Sequence, residues 1–301
     1  MHYIPTNQII TFMNLTYPSL YKVADAASLS AQKLHLRLTV IHAFLLILGT
    51  AMAVKSVPTK EYSLLVALVF LAALGLSIFL GVKKYEKNWY NGRAVAESIK
   101  TSTWRYSMRA APFENAESVH VTKSEFRNLL NSILRTNREL GDYIGEHQDT
   151  NEQITSEMDQ IRTLSIEERK SYYLSYRIDQ QRTWYTVKAA YNKKMQRIWF
   201  SAVVIAQALA VACVLVRIAY PDWAYWPTDT LVLIASFCIS WTQLKKFNEL
   251  SSAYSLTAQE IGIIRGQSED VATEEELSEF VNNAELAFSR EHTQWVARQD
   301  T

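Results

Sequence analysis

From residue 62 to residue 82 the chain runs 21 residues without a charge. A helix needs ~20 apolar residues to cross the hydrocarbon core of a bilayer. This run therefore limits the possible folds more than any other feature. Three more runs repeat the pattern: 36–54, with Arg37 at its edge; 198–217; and 228–244, which starts beside Asp229 and carries Ser236, Ser240 and Thr242. The last is the least apolar, and an interfacial or re-entrant helix stays open for it. Charged residues make up 20% of the chain, and its mean hydropathy is near zero. Those averages suit a soluble protein because strongly polar blocks separate the apolar runs.

The spans are expected to pair as two hairpins. The first closes through Lys55-Ser-Val-Pro58-Thr-Lys60-Glu61. The second closes through Pro221-Asp-Trp-Ala-Tyr-Trp-Pro227, which has no Lys or Arg and three aromatics. Aromatic residues suit the headgroup level, and Lys and Arg concentrate on the cytoplasmic side. Lys33, Arg37, Lys83, Lys84, Lys87 and Arg93 flank the first pair; Lys188, Lys193, Lys194, Arg197, Lys245 and Lys246 flank the second. Both termini and the 83–197 body are then expected in the cytosol. The first thirty-six residues hold no apolar core of a cleavable signal, so none is expected. Cys213 and Cys238 lie in apolar runs, where a free cysteine behaves as a small apolar residue.

Net charge is +1, which gives no general pull toward DNA or RNA. The charges are nevertheless unevenly placed. Residues 245–301 hold five Lys/Arg against eleven Asp/Glu, a net of −6, whereas 83–113 hold seven against two. The basic segment reads as positive-inside bias, as an anion or nucleotide face, or as a partner for the acidic tail.

The two halves repeat one another. Tyr21, Val23 and Ala26 recur as Tyr185, Val187 and Ala190 at an offset of 164; Lys83-Lys84-Tyr85 recurs as Lys245-Lys246-Phe247 at 162. Each unit reads as a pre-helix, two spans and a post-helix. Because both units start on the same side, they are expected to be parallel repeats.

Outside the membrane, Arg93, Glu97 and Lys100 share one helix face and can pair. Thr122-x-x-Glu125, Ser165-x-x-Glu168 and Thr273-x-x-Glu276 are capping-box patterns. From Ser165 one long helix is expected to lead without Pro or Gly into the third span. Residues 114–121 and 141–164 read as linkers. The resulting domains are 1–113 (first two-span unit), 114–164 (cytosolic helical linker region) and 165–301 (second two-span unit with an acidic helical tail).

No catalytic constellation, phosphate-binding glycine loop or metal motif occurs in the sequence. The expected class is therefore non-enzymatic, with no cofactor and no metal. Candidate pore-lining or bundle-interior polar residues are His42, Gln207, Ser77 and Ser236. Such groups line a water path or form interhelical hydrogen bonds. Candidate ligand or partner contacts are Arg93, Glu97, Lys100, Trp104, Arg105 and Arg109. Candidate tail contacts are Glu285, Glu291, His292 and Trp295.

Three stretches carry a resemblance. Trp89…Arg93-Ala-Val-Ala-Glu97-Ser-Ile-Lys100-Thr-Ser-Thr-Trp104-Arg105-Tyr106…Pro112-Phe113 resembles the segment after the hairpin in SLATT domains, the SMODS- and SLOG-associated two-transmembrane effectors of bacteria. Glu168-Arg169…Tyr172…Arg177-Ile-Asp179-Gln-Gln181…Trp184-Tyr185 is similar to the family's helix before a hairpin. Phe280-Val281…Glu285…Ser289-Arg290-Glu291-His292-Thr-Gln-Trp295-Val-Ala-Arg298 resembles the closing segment of tandem, four-span members. The resemblance implies an all-α integral membrane protein of the bacterial inner membrane. It implies an effector of a conflict system that oligomerises and opens a pore or disrupts the membrane on a cytosolic signal. Implied partners are a cyclic nucleotide or a nucleotide-synthesising or nucleotide-sensing protein. The rival expectation is a non-conducting anchor that docks a partner enzyme.

Overall fold

The computed structural model describes residues 14–54, 59–114, 118–137, 152–223 and 225–297, side chains excepted from 290 onward. Every regular element among them is helical: α1 (Ser19–Ala53), α2 (Lys60–Lys83), α3 (Tyr85–Ser107), α4 (Val119–Thr136), α5 (Ser156–Thr163), α6 (Ile166–Tyr173), a π-helical turn (Leu174–Asp179), α7 (Gln180–Ala219), α8 (Thr228–Lys245), α9 (Phe247–Gln267), a 3-10 turn (Ser268–Asp270) and α10 (Glu274–Ala297). The all-α expectation is met. The helix expected from Ser165 into the third span is present, continuous over Ile166–Ala219.

Among the described residues, three helices are long and apolar enough to cross a membrane: Ser19–Ala53, Lys60–Ser107 and Ile166–Ala219. The expected fourth span, α8, is not among them. It has 18 residues with Asp229 in its first turn and Lys245 in its last, and its serines and threonines dilute the apolar run.

The described residues form two compact units, one from those within 1–32, 86–183 and 258–301, the other from those within 33–85 and 184–257. The second is built inside out relative to a soluble protein. Buried positions in its spans are small: Ala73, Ala206, Ala210, Ala235 and Cys238. A Cβ added to Gly49 would sit 2.9 Å from the Phe70 ring, so α1 and α2 approach closely there. Large apolar residues point outward, among them Leu64, Leu71, Ile78, Phe200, Ile205 and Leu215. Lipid solvates such a surface, and small residues let spans pack closely. The chain is a membrane protein. Polar ends finish the packing: Tyr62 Oη donates to Met52 O at 2.8 Å, and Ser251 Oγ donates to Ala189 O at 3.1 Å.

The first unit has an ordinary water-soluble core. Leu20, Ala24, Val95, Ala96, Ile99, Tyr106, Phe113, Phe126, Leu130 and Met158 cluster together. Phe113 meets Phe126 edge-on at 5.6 Å, and Tyr106 lies 5.1 Å from Phe126. Truncating an aromatic residue at such a position costs roughly 3–5 kcal/mol. Against α1, Gly92 of α3 allows close approach: a Cβ there would be 3.1 Å from Ser28, whose Oγ donates to Trp89 O at 2.9 Å.

Two local expectations are corrected. Thr122 does not open α4; Ser118 caps it by accepting from Val121 N, and Thr122 Oγ1 donates back to Ser118 O. Residues 156–163 are not linker but helix α5, capped by Thr155. The other two capping boxes form. Ser165 and Glu168 exchange both bonds, as do Thr273 and Glu276, at 3.3 and 2.9 Å.

Candidate functional site

Polar residues sit at two places, one in each unit. In the apolar unit His42 Nε2 and Ser77 Oγ are 2.7 Å apart, linking α1 to α2. His42 also lines a cavity of about 360 Å³ between α1 and α8, together with Thr39, Ser236 and Ser240. Ser236 Oγ is already spent on Val232 O at 2.9 Å. Three of the four residues expected to line a pore or bundle interior thus lie on α1, α2 and α8, with His42 common to both contacts. Gln207 does not join them; it is exposed on α7.

In the other unit the central feature is a buried ion pair. Arg177, in the π-helical turn, donates from Nε to Glu285 Oε1 and from Nη2 to Glu285 Oε2, both at 2.7 Å. Its side chain is 3% exposed and that of Glu285 is 0%. Tyr173 Oη donates to Glu285 Oε1 at 3.0 Å. The Arg177 guanidinium lies 4.8 Å from the Phe288 ring and 6.0 Å from the Trp104 ring. A bidentate Arg–carboxylate pair with an extra hydroxyl donor is the geometry that makes burial of two charges tolerable. Burial alone would lower the Arg177 pKa, but the Glu285 charge and hydrogen bonds outweigh it, and the pKa is raised. Burial, then the Glu285 charge, pushes the Tyr173 hydroxyl well above its ordinary value. The phenol therefore stays protonated and remains a donor.

Tyr173 and Arg177 are four residues apart and so lie on one helical face. That face meets α10, where both side chains reach Glu285.

The basic face of α3 is largely engaged within the chain. Arg93 contacts Glu97 at 2.8 Å and Asp25 at 3.5 Å. Lys100 lies 3.9 Å from Glu97, and burial, then the nearby Arg177 charge, lowers its pKa. Trp104 is 2% exposed and donates from Nε1 to Tyr17 Oη at 3.0 Å. Arg105 is half-buried, and its Nε has no partner among the described residues. Arg109 Nε donates to Arg162 O at 2.7 Å, and its Nη1 lies 3.9 Å from Glu274. Thr101 and Ser289 hydroxyls are 3.4 Å apart. Glu291, His292 and Trp295 fall on α10, but their side chains lie outside the described ones.

Two further arginines were not expected. Arg169, 0% exposed, donates to Met108 O and Leu164 O and pairs with Glu274. Arg162 donates to Tyr106 O at 2.8 Å. A sequence shows an arginine inside an amphipathic run but not the carbonyls of another segment that it ties.

The repeat is visible in backbone geometry. Lys84 caps α2 and Lys246 caps α8, each in the left-handed region, at φ 46°, ψ 43° and φ 48°, ψ 40°. Their numbers differ by 162, the offset read from the sequence. Each pre-helix also meets its post-helix near these caps, through Ser28 and Trp89 in one copy and through Ala189 and Ser251 in the other.

Comparison with known proteins finds two family domains in tandem. Residues 18–170 match the model of SMODS and SLOG-associating 2TM effector domain 3. Residues 173–295 match that of domain 1. No curated protein and no solved structure matches the chain. With two such domains in tandem, on helices able to span a bilayer, the chain belongs to the SLATT family of two-transmembrane effector domains.

Proposed function

We propose that this protein is a non-enzymatic membrane effector of a prokaryotic conflict system. Several copies assemble in the inner membrane and open a pore, or breach the bilayer, when a cytosolic signal arrives. The observation that carries this reading is the tandem match to two effector domains, laid on an apolar unit whose outer surface suits lipid. One chain offers few helices to enclose a water path, so conduction calls for more than one copy. We take α8 as the fourth span. Its domain model is described as having two spans, its cap matches that of α2, and 18 helical residues reach about 27 Å, close to the ~30 Å core. With an even span number, basic flanks favour a cytosolic position for both termini.

The signal acts on the water-soluble unit, and a nucleotide is the chemistry the basic α3 segment would suit. Any anion there must compete with Asp25, Glu97 and Glu274, which already hold Arg93, Lys100 and Arg109. Release of a dye from liposomes carrying the purified protein, with and without cyclic nucleotides, tests the reading. Leakage that depends on one ligand supports it. Intact vesicles under every ligand, with the protein correctly inserted, refute it and leave the anchoring scaffold. On the scaffold reading, His42→Ala would leave cellular activity intact.

A further inference from the structure

Among the polar residues of the spans, His42 and Gln207 differ in one decisive respect. His42 has a partner within its own chain, Ser77. Gln207 has none among the described residues and is exposed on α7. It stands at the middle of the 198–217 run, roughly 15 Å from either end, too far for a glutamine side chain to reach the headgroups. An amide facing hydrocarbon at that depth keeps its donors and acceptor unsatisfied, which lipid cannot remedy. The faces on both sides of it are apolar: Val204, Val211 and Val214 lie on the same stripe and are exposed.

We infer that the Gln207 stripe of α7 is a contact surface for a second copy of this chain. The argument for that occupant is chemical. All copies insert with the same orientation, so Gln207 of one copy stands at the depth of Gln207 in the next. The carboxamide carries both donors and an acceptor, so two such groups satisfy each other. The valines above and below close around the pair and exclude lipid. An oligomer thus uses its one lipid-facing amide per third span as a register pin, much as a buried asparagine fixes register in a coiled coil. This inference rests on the membrane insertion proposed above and specifies the assembly it calls for.

The test is thiol cross-linking in native membranes. In a background with Cys213→Ala and Cys238→Ala, single cysteines replace Val204, Gln207, Val211 and Val214 on the stripe. Others replace Ile205, Leu209 and Val216, also exposed but on the other side of the helix. With a short bis-maleimide, dimers are expected at the stripe positions and not at the controls. In mild detergent, Gln207→Leu, which suits lipid and should not unfold the protein, is expected to weaken self-association roughly tenfold. Cross-links at the controls equal to those on the stripe, or undiminished association of Gln207→Leu, overturn the proposal. Dye release is read separately. Stripe cross-links without leakage under any ligand would leave this interface standing and remove the pore.

Discussion

At the residue scale, the buried Arg177–Glu285 pair holds the largest stake. Removing one partner leaves an uncompensated charge in a dry site, a loss of about 3–5 kcal/mol. Glu285→Ala should therefore lower thermal stability strongly, as read by unfolding in detergent. The double variant Arg177→Met/Glu285→Leu should recover most of that loss, because an apolar pair of similar volume carries no stranded charge. Glu274 gives a pH dependence of opposite character. Its hydrogen bond from Arg169 lowers its pKa below the usual glutamate range. Its stabilisation is therefore complete above the unfolded value and is lost as pH falls through the lower, folded value. Protection of α10 against proteolysis should fall as pH drops below about 4, and Glu274→Gln should already be less protected at pH 7. Half-exposure of the side chain keeps the effect small. The i, i+4 spacing of Arg93 and Glu97 made their pairing legible in the sequence. Arg177 and Glu285 are 108 residues apart, and no local pattern links them.

At the element scale, helices were legible where one face is apolar and a cap opens the run. Ser165 and Thr273 show this. Thr122 shows the limit, since Ser118 stood one turn earlier and took the cap. Helix α5 has only eight residues, too few for its apolar spacing to stand out from linker. The π-helical turn left no mark either, because it lies in an ordinary helix-forming stretch. The left-handed caps at Lys84 and Lys246 carry a prediction of their own. A side chain in that region is strained by roughly 1 kcal/mol, and glycine is not. Lys84→Gly and Lys246→Gly should each raise the melting temperature of the detergent-solubilised protein slightly, and by similar amounts. A gain at Lys84 alone would mean that the two junctions are not equivalent.

For the whole molecule, the question is how many times the chain crosses the bilayer. Long apolar runs are legible because lipid replaces the hydrophobic core as the solvent for large side chains, and α2 needs nothing else to be recognised. Helix α8 is less legible because Ser236 and Thr242 bond back to their own helix at 2.9 and 2.8 Å. That arrangement hides their polarity from lipid but not from a hydropathy count. Parity decides between three spans and four. With four, the C-terminus lies on the same side as the 83–197 body, and the stacked Tyr220, Trp223 and Trp226 lie on the far side at headgroup level. With three, the tail changes sides, and the 11 acidic residues from 245 onward would have to cross with it. Reporter fusions after Thr301 that are active only in the cytosol, or only outside it, distinguish the two. Cytosolic activity is expected, together with labelling of a Trp223→Cys variant by an impermeant maleimide from outside intact cells. A tail reporter active outside would make α8 an interfacial helix. It would also separate Glu274 and Glu285 from Arg169 and Arg177 by the width of a bilayer and so break their ion pairs.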